Sequence, residues 1–398
     1  MNKKNSTLLI CLVFCCAKIV GQAVERCNTR HETGSLAAAV NPEATPVSSR
    51  EVITIPVVVH IVWNLPAENI SDEQILSQIE VLNEDFNAAN AEIPSIPLMF
   101  QPVIGDIGFQ FCLASKDPYG NATTGITRTQ TTNNIGIGGT SAIHHTDQGG
   151  HDAWPTEKYL NIWVAKFAGA IGGVASFPGE GPSDEQGVEV NYKQFGTNGT
   201  ATEPPYQFGR TCTHEIGHYF NLEHVWGPNI NSCCDEDDGV ADTPISCENY
   251  LHQCPSGVTF SCTAPDMWMN FMNYTDDACM AMFSLGQRER MYAALNQFRQ
   301  GLLTSDGCQP VAASEENKLE ELLVFGNPQV GNLQFEIKTP RAGKWQVSLF
   351  NLLGQQVFFE EKKPNQPAEI EISELPTGIY FLAASQNSTR LIRKLVLR

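Results

Sequence analysis

Residues 55–63 read Ile-Pro-Val-Val-Val-His-Ile-Val-Trp, a nearly unbroken apolar and β-branched run. It predicts a buried strand, with Pro56 near its start, where a missing N–H donor matters least. Downstream the period changes: Ile75, Ile79, Leu82 and Phe86 recur at helical spacing and predict a helix with one apolar face. Ser71-Asp-Glu-Gln74 ahead of them reads as a capping box, Ser71 accepting from the third helical amide while Gln74 reaches back. Further strands are predicted at 109–113 and at 159–167, the second alternating Leu160, Ile162 and Val164 before the Gly-rich stretch 169–173. Strand and helix in this order predict an α/β or α+β domain. Past 319 the texture changes again. Short apolar stretches at 347–352, 370–372 and 379–383 alternate with the turn signals Asn327-Pro328, Leu353-Gly354-Gln355 and Thr377-Gly378, which predicts a small all-β sandwich.

The first residues carry Lys3 and Lys4, an apolar run at 8–16 and then Gly21-Gln22-Ala23, the order of a secretory signal cleaved near Gln22. The apolar run is shorter than the roughly 20 residues that cross a bilayer, and no other stretch qualifies, so no transmembrane segment is expected. Residues 23–50 are polar and without period, and read as a propeptide or flexible lead. The expected organisation is a signal at 1–22, a propeptide at 23–50, a main domain at 51–309, a linker at 310–318 and a β-sandwich at 319–398. A net charge of −19 without a basic stripe excludes nucleic acid as a partner. Of 13 cysteines, three lie in the signal. Cys233, Cys234, Cys247, Cys254, Cys262 and Cys279 crowd one stretch, which in an exported protein reads as disulfide stapling.

The chemistry sits in Thr213-His-Glu-Ile-Gly-His-Tyr-Phe-Asn-Leu-Glu-His-Val-Trp-Gly227. Four residues apart on a helix, His214 and His218 offer two imidazoles to one ion, with Glu215 beside them. His224 serves as third ligand if the chain folds back, and Asn221 stands at the bend as the commonest non-glycine residue to accept positive φ. Three ligands leave a fourth position open, as a catalytic zinc requires, and Glu215 is then the general base of peptide-bond hydrolysis. The stretch Gly172-Gly-Val-Ala-Ser176 is a candidate edge for pairing with extended substrate. A surface binding protein or adhesin with a zinc-stapled fold is the alternative, and Glu215 argues against it, because a fold that only holds zinc has no need of a carboxylate there.

The long histidine motif with Asn270-Phe-Met-Asn-Tyr274 resembles the metzincin metallopeptidases, and Asp242-Thr-Pro244 with Met272-Asn-Tyr-Thr-Asp-Asp-Ala-Cys279 narrows the resemblance to their pappalysin family. The resemblance implies an α+β metzincin-type zinc peptidase domain, a mixed sheet plus helices, acting on protein or peptide substrates. It implies Met272 as the hydrophobic floor beneath zinc and Tyr274 as the hydroxyl that stabilises the tetrahedral intermediate. It further implies disulfides Cys254–Cys279 and Cys234–Cys262, with Cys233 an alternative to Cys234. It implies calcium at Asp238, Thr243 and the Ala241 carbonyl, whose carboxylate-rich turn suits a hard cation. Asp277, with Asp276 competing, is implied to favour a basic residue after the scissile bond. The C-terminal region resembles the sorting domains of the type IX secretion system through Gly326-Asn-Pro328, Asn351-Leu-Leu-Gly-Gln355, Leu375-Pro-Thr-Gly-Ile-Tyr380 and the basic end 390–398. That implies an Ig-like sandwich, the secretion machinery as partner, and a secreted or cell-surface location. Cys27, inside the expected propeptide, is a soft ligand suited to the fourth zinc position and is assigned as a latency switch, with Arg50 as the cut site. A disulfide from Cys27, to Cys308 for instance, is the competing reading.

Overall fold

The computed structural model describes residues 25–29, 52–133, 141–167, 171–202, 204–231, 234–309, 320–326, 331–352, 354–386 and 389–397. The signal, Arg50, Cys233, the linker, Gly169 of the 169–173 stretch and the Asn327-Pro328 turn lie outside the described residues. The chain divides into two compact units, one ending at 311 and one beginning at 312.

The first unit is built on a sheet of seven strands: β1 (Glu25–Cys27), β2 (Ile53–Trp63), β3 (Phe109–Leu113), β4 (Ile126–Gln130), β5 (Leu160–Ala165), β6 (Ile171–Ala175) and β7 (Val188–Asn191). Their order is β1-β6-β7-β5-β2-β3, with β4 continuing the β3 edge along β2. All neighbours run parallel except β6 and β7. β2 is buried from Ile55 to Val62, as its unbroken hydrophobicity requires. Helix α1 (Asp72–Asp85) buries Ile75, Ile79 and Leu82, and Phe86 at its end stacks on Phe109 and meets Phe111 of β3 edge-on.

Three local outcomes differ from the sequence pattern. Ser71 does accept from the Gln74 amide, but the Gln74 side chain turns inward to the carbonyls of Tyr192 and Phe195, at 3.1 and 2.8 Å, so the box is half formed. Satisfying buried carbonyls outweighs closing a cap that water already serves. The full capping box is at helix α3 (Leu285–Phe298), between Ser284 and Gln287. Third, the polar lead is not structureless: Glu25–Cys27 forms β1, which a period-based reading misses because three residues carry no period.

Between helix α2 (Arg210–Tyr219) and α3 the chain has little regular structure, and cross-links replace it. Cys234–Cys262 and Cys254–Cys279 are joined, Cys247 is also disulfide-bonded, and Cys112–Cys308 ties β3 to the end of the unit. Cys308 is therefore not the partner of Cys27, which is free and buried.

The second unit is a sandwich of two antiparallel sheets. One holds β8 (Glu321–Phe325), β9 (Asn332–Lys338) and β12 (Pro367–Glu371); the other holds β10 (Trp345–Asn351), β11 (Gln356–Lys362), β13 (Gly378–Gln386) and β14 (Thr389–Leu397). Inward alternation from both, Leu333, Phe335 and Ile337 with Trp345, Val347, Leu349 and Leu382, makes one core. The basic C-terminal stretch is itself strand β14, whose Leu395 and Leu397 are buried and follow the exposed Arg393 and Lys394.

Candidate active site

Helix α2 starts at Gly209, φ +73°, where the Asp277 carboxylate accepts from the amides of Phe208 and Arg210 at 2.9 and 3.3 Å. A buried anion there answers both the orphan amides and the positive end of the helix dipole. The helical period then brings His214 and His218 to one face. Asn221, φ +71°, turns the chain as expected, and the Leu222 amide bonds the Gly217 carbonyl at 3.0 Å, returning His224 beneath the helix end.

The His218 Nε2 lies 3.1 Å from the His214 Nε2 and 3.2 Å from the His224 Nε2. The opposite nitrogens are committed: His214 Nδ1 meets the Phe271 carbonyl and His218 Nδ1 the Leu222 carbonyl, each at 2.7 Å. A carbonyl only accepts, so both Nδ1 atoms carry the proton and both Nε2 atoms aim lone pairs at one point. Facing lone pairs repel unless a cation lies among them, and a buried cluster of neutral imidazoles is the donor set that zinc takes. Burial, then the neighbouring His218 and His224, hold His214 well below the usual imidazole range, which keeps it a ligand rather than a cation.

Around the cluster, Met272 is fully buried and its sulfur occupies the space a Cβ on Gly217 would need, which is why helix and floor touch. Trp226 stacks on His224 at 4.5 Å, and the Tyr274 ring stands 5.0 Å from His224 and 5.6 Å from His214. Glu215 is sealed from solvent, and burial pushes its carboxyl up to about 8. A Cβ on Gly173 would stand 2.6 Å from the Glu215 Cγ, so the glycine makes room for the carboxylate.

Strand β1 lies across this site, pairing Glu25 with Ile171 and Cys27 with Gly173. The Cys27 Sγ is 3.5 Å from both His218 Nε2 and Glu215 Oε2, and the donor atoms of Cys27, His214, His218 and His224 all fall within 4.8 Å of one another. The Tyr274 hydroxyl donates to the Cys27 carbonyl at 3.2 Å. One residue earlier, the Arg26 guanidinium enters a closed pocket. Its Nη2 donates to Asp277 Oδ1 and the Thr275 carbonyl, both at 2.7 Å, and the group lies 4.6 Å over the Tyr206 ring. Asp277, rather than Asp276, receives the guanidinium, and both partners of the pair are fully buried. Sequence reasoning missed Arg26 and Thr29. The available signal was their adjacency to Cys27 in Glu25-Arg-Cys-Asn-Thr29.

The acidic turn forms a separate feature. Asp238 Oδ1 accepts from the Thr243 hydroxyl at 2.7 Å and the Val240 amide at 3.1 Å, while its Oδ2 is buried with no hydrogen-bond partner among the described residues. Burial raises this carboxyl to about 7. Ala241 lies exposed on the turn, and Asp242 points elsewhere, accepting from Ser284 Oγ and the Gly286 amide at the start of α3.

Residues 144–296 match the peptidase family described as pregnancy-associated plasma protein-A. An extracellular metalloprotease of Arthroderma otae is 30% identical over 272 residues, which cover 66% of this chain and 85% of that protein. The chain belongs to the pappalysin family of metallopeptidases. Among solved pappalysin-like structures, a Tannerella forsythia promirolysin mutant is 42% identical with a TM-score of 0.61, covering 65% of this chain and 85% of that one. Mature mirolysin of the same organism in complex with a cleaved peptide is 43% identical with a TM-score of 0.60, covering 64% and 96%. Residues 323–398 match the secretion system C-terminal sorting domain, so this pappalysin is exported by type IX secretion and its β-sandwich is the sorting tail. The peptidase family match and the metalloprotease relative decide for turnover over the adhesin alternative. The family implies a catalytic zinc, and the convergent Nε2 atoms fit it. No helix among the described residues is long and apolar enough to cross a membrane.

Proposed function

We propose that the chain is the latent precursor of a zinc endopeptidase that cuts before basic residues, with Glu215 as general base and residues 25–29 as the plug. The observation that carries this reading is the single strand that sets Cys27 against the three histidines and Arg26 on Asp277. His214, His218 and His224 would hold the zinc, with the Cys27 thiol against them until the propeptide leaves. When bound, the zinc supplies Lewis acidity to the scissile carbonyl and to water. Glu215 accepts the proton of the attacking water at a carboxylate oxygen and delivers it to the departing amine nitrogen. Tyr274, whose hydroxyl now reaches the Cys27 carbonyl, turns to the oxyanion of the attacked carbonyl once that partner is gone. Strand β6, already paired along its edge with β1, receives extended substrate by main-chain pairing of the same kind, run in the opposite direction.

Asp277 binds the basic side chain that follows the cleaved bond. In the plug the basic residue precedes the blocking cysteine, so the chain presents its pocket-filling and metal-facing residues in reverse order, and no scissile bond falls at the reaction centre. Asp238, Thr243 and the Ala241 carbonyl hold a calcium ion, a reading supported by the buried, unpartnered Asp238 Oδ2. A digest of a peptide library by the processed enzyme tests the specificity. We expect Arg or Lys directly after the cut, and loss of that preference in Asp277→Ala. Cleavage indifferent to that position in the native enzyme would overturn the assignment.

A further inference from the structure

The latency reading above accounts for Cys27 and Arg26 and leaves a third propeptide contact unassigned. The Thr29 hydroxyl, buried, donates to Glu215 Oε2 at 2.7 Å and accepts from the Ala175 amide at 2.8 Å, while the Thr29 amide reaches the Cys27 sulfur at 3.2 Å. A threonine hydroxyl has one proton and here gives it to the carboxylate. Oε2 of Glu215 is therefore engaged, Oε1 stays buried with no hydrogen-bond partner among the described residues, and the Ala175 amide of β6 is engaged by the same hydroxyl.

We propose that Thr29 is a second lock, separate from the cysteine, that restrains the general base Glu215 through a direct hydrogen bond. The inference rests on the reading of residues 25–29 as an inhibitory plug. Its physical content is a coupling: a hydrogen bond to a buried carboxylate adds to the hold of the strand only while the carboxylate is present. Releasing Cys27 from the metal cluster then leaves the strand held at the base, and releasing Thr29 leaves it held at the metal cluster. A Cβ on Gly172 would collide with the Arg26 carbonyl oxygen, so that glycine lets the strand approach, while Gly173 leaves room for the Glu215 side chain.

The test is a double-mutant cycle on the full precursor, read as the rate at which a small alkylating reagent caps Cys27, a measure of strand detachment that needs no turnover. Thr29→Val should speed capping by about tenfold, the expected effect of one buried hydrogen bond. Thr29→Ser, which keeps the hydroxyl, should cap at the native rate. In the Glu215→Ala precursor, where no carboxylate remains, Thr29→Val should change the rate by less than about twofold. An equal acceleration in both backgrounds would show that Thr29 only anchors the strand through Ala175, and no acceleration in either would show that it holds nothing; both overturn the proposal. The parent reading fails differently: a native precursor whose Cys27 is capped as fast as an exposed thiol would show that residues 25–29 do not plug the site, whatever the coupling.

Discussion

The two carboxylate oxygens of Asp277 face different tasks. Oδ2 accepts from the Arg210 amide that opens α2 and from the Phe208 amide just before it, and Oδ1 holds the Arg26 guanidinium, so helix position and pocket charge are set by one residue. Replacing it removes both. Asp277→Ala in the precursor leaves Arg26 buried without its counter-charge, and breaking a buried pair of this kind costs about 3–5 kcal/mol. We predict a lower thermal midpoint for that precursor and a strand β1 that detaches readily, measured by thermal unfolding and by protease sensitivity at residues 25–29. A midpoint unchanged from the native would mean that the pair contributes no stability. Glu215→Ala makes a cleaner cut, because the carboxylate touches no metal-facing nitrogen of the cluster in the structure and only its proton-accepting oxygen is lost. The processed variant should retain its zinc by atomic absorption while kcat falls by a factor of about a thousand or more, since removal of a central acid–base group loses the step it carries.

At the scale of elements, the sheet is tied laterally by one buried histidine. His60 on β2 bonds Thr127 of β4 at 2.8 Å and Asn161 of β5 at 2.9 Å, and stacks on His151 at 4.3 Å. Burial, with His151 next, lowers it from 6.5 to about 3, so the fold holds it neutral while the unfolded chain protonates it. The folded pKa lies below the unfolded one, so stability from this group is intact above pH 6.5 and is lost as pH falls towards 3. Between pH 7 and 5 the loss should be about 2 kcal/mol, and His60→Gln should flatten that slope in denaturant titrations. An unaltered slope would show that other groups carry the acid sensitivity. Gly173 makes a second prediction at this scale. Alanine there would force Glu215 to move, so Gly173→Ala should lower kcat about tenfold or more with little change in KM, because a misaimed base affects the reaction more than binding.

How far the sequence disclosed all this depended on how local each cause is. Strand β2, helix α1 and the α2 histidines were legible because a period or a fixed spacing of a few residues decides them, and Asn221 was legible because its φ is a property of one residue. The Gln74 side chain, the Cys112–Cys308 link and the Arg26–Asp277 pair were not, because each depends on a partner between about 120 and 250 positions away. Strand β1 is the extreme case. Its three residues have no pattern of their own and are ordered entirely by the edge of β6 and the site beneath it.

As a whole molecule the chain joins a peptidase, the plug proposed at residues 25–29 and a sorting tail. The peptidase unit and the sandwich each have a separate core, so a chain ending at 309 should fold and, once processed, cleave peptide at the native rate while failing to be exported by type IX secretion. Loss of peptide cleavage in that truncated chain would show that the tail is needed by the peptidase itself. The central claim is that Cys27 blocks the metal position of a zinc site built from His214, His218 and His224. X-ray absorption at the zinc edge of the precursor and of the processed enzyme tests it most directly. The precursor should show one sulfur neighbour at about 2.3 Å together with nitrogen, and that sulfur should vanish in Cys27→Ser and after removal of the propeptide. A shell of nitrogen and oxygen alone in the native precursor, the same before and after processing, would contradict the account.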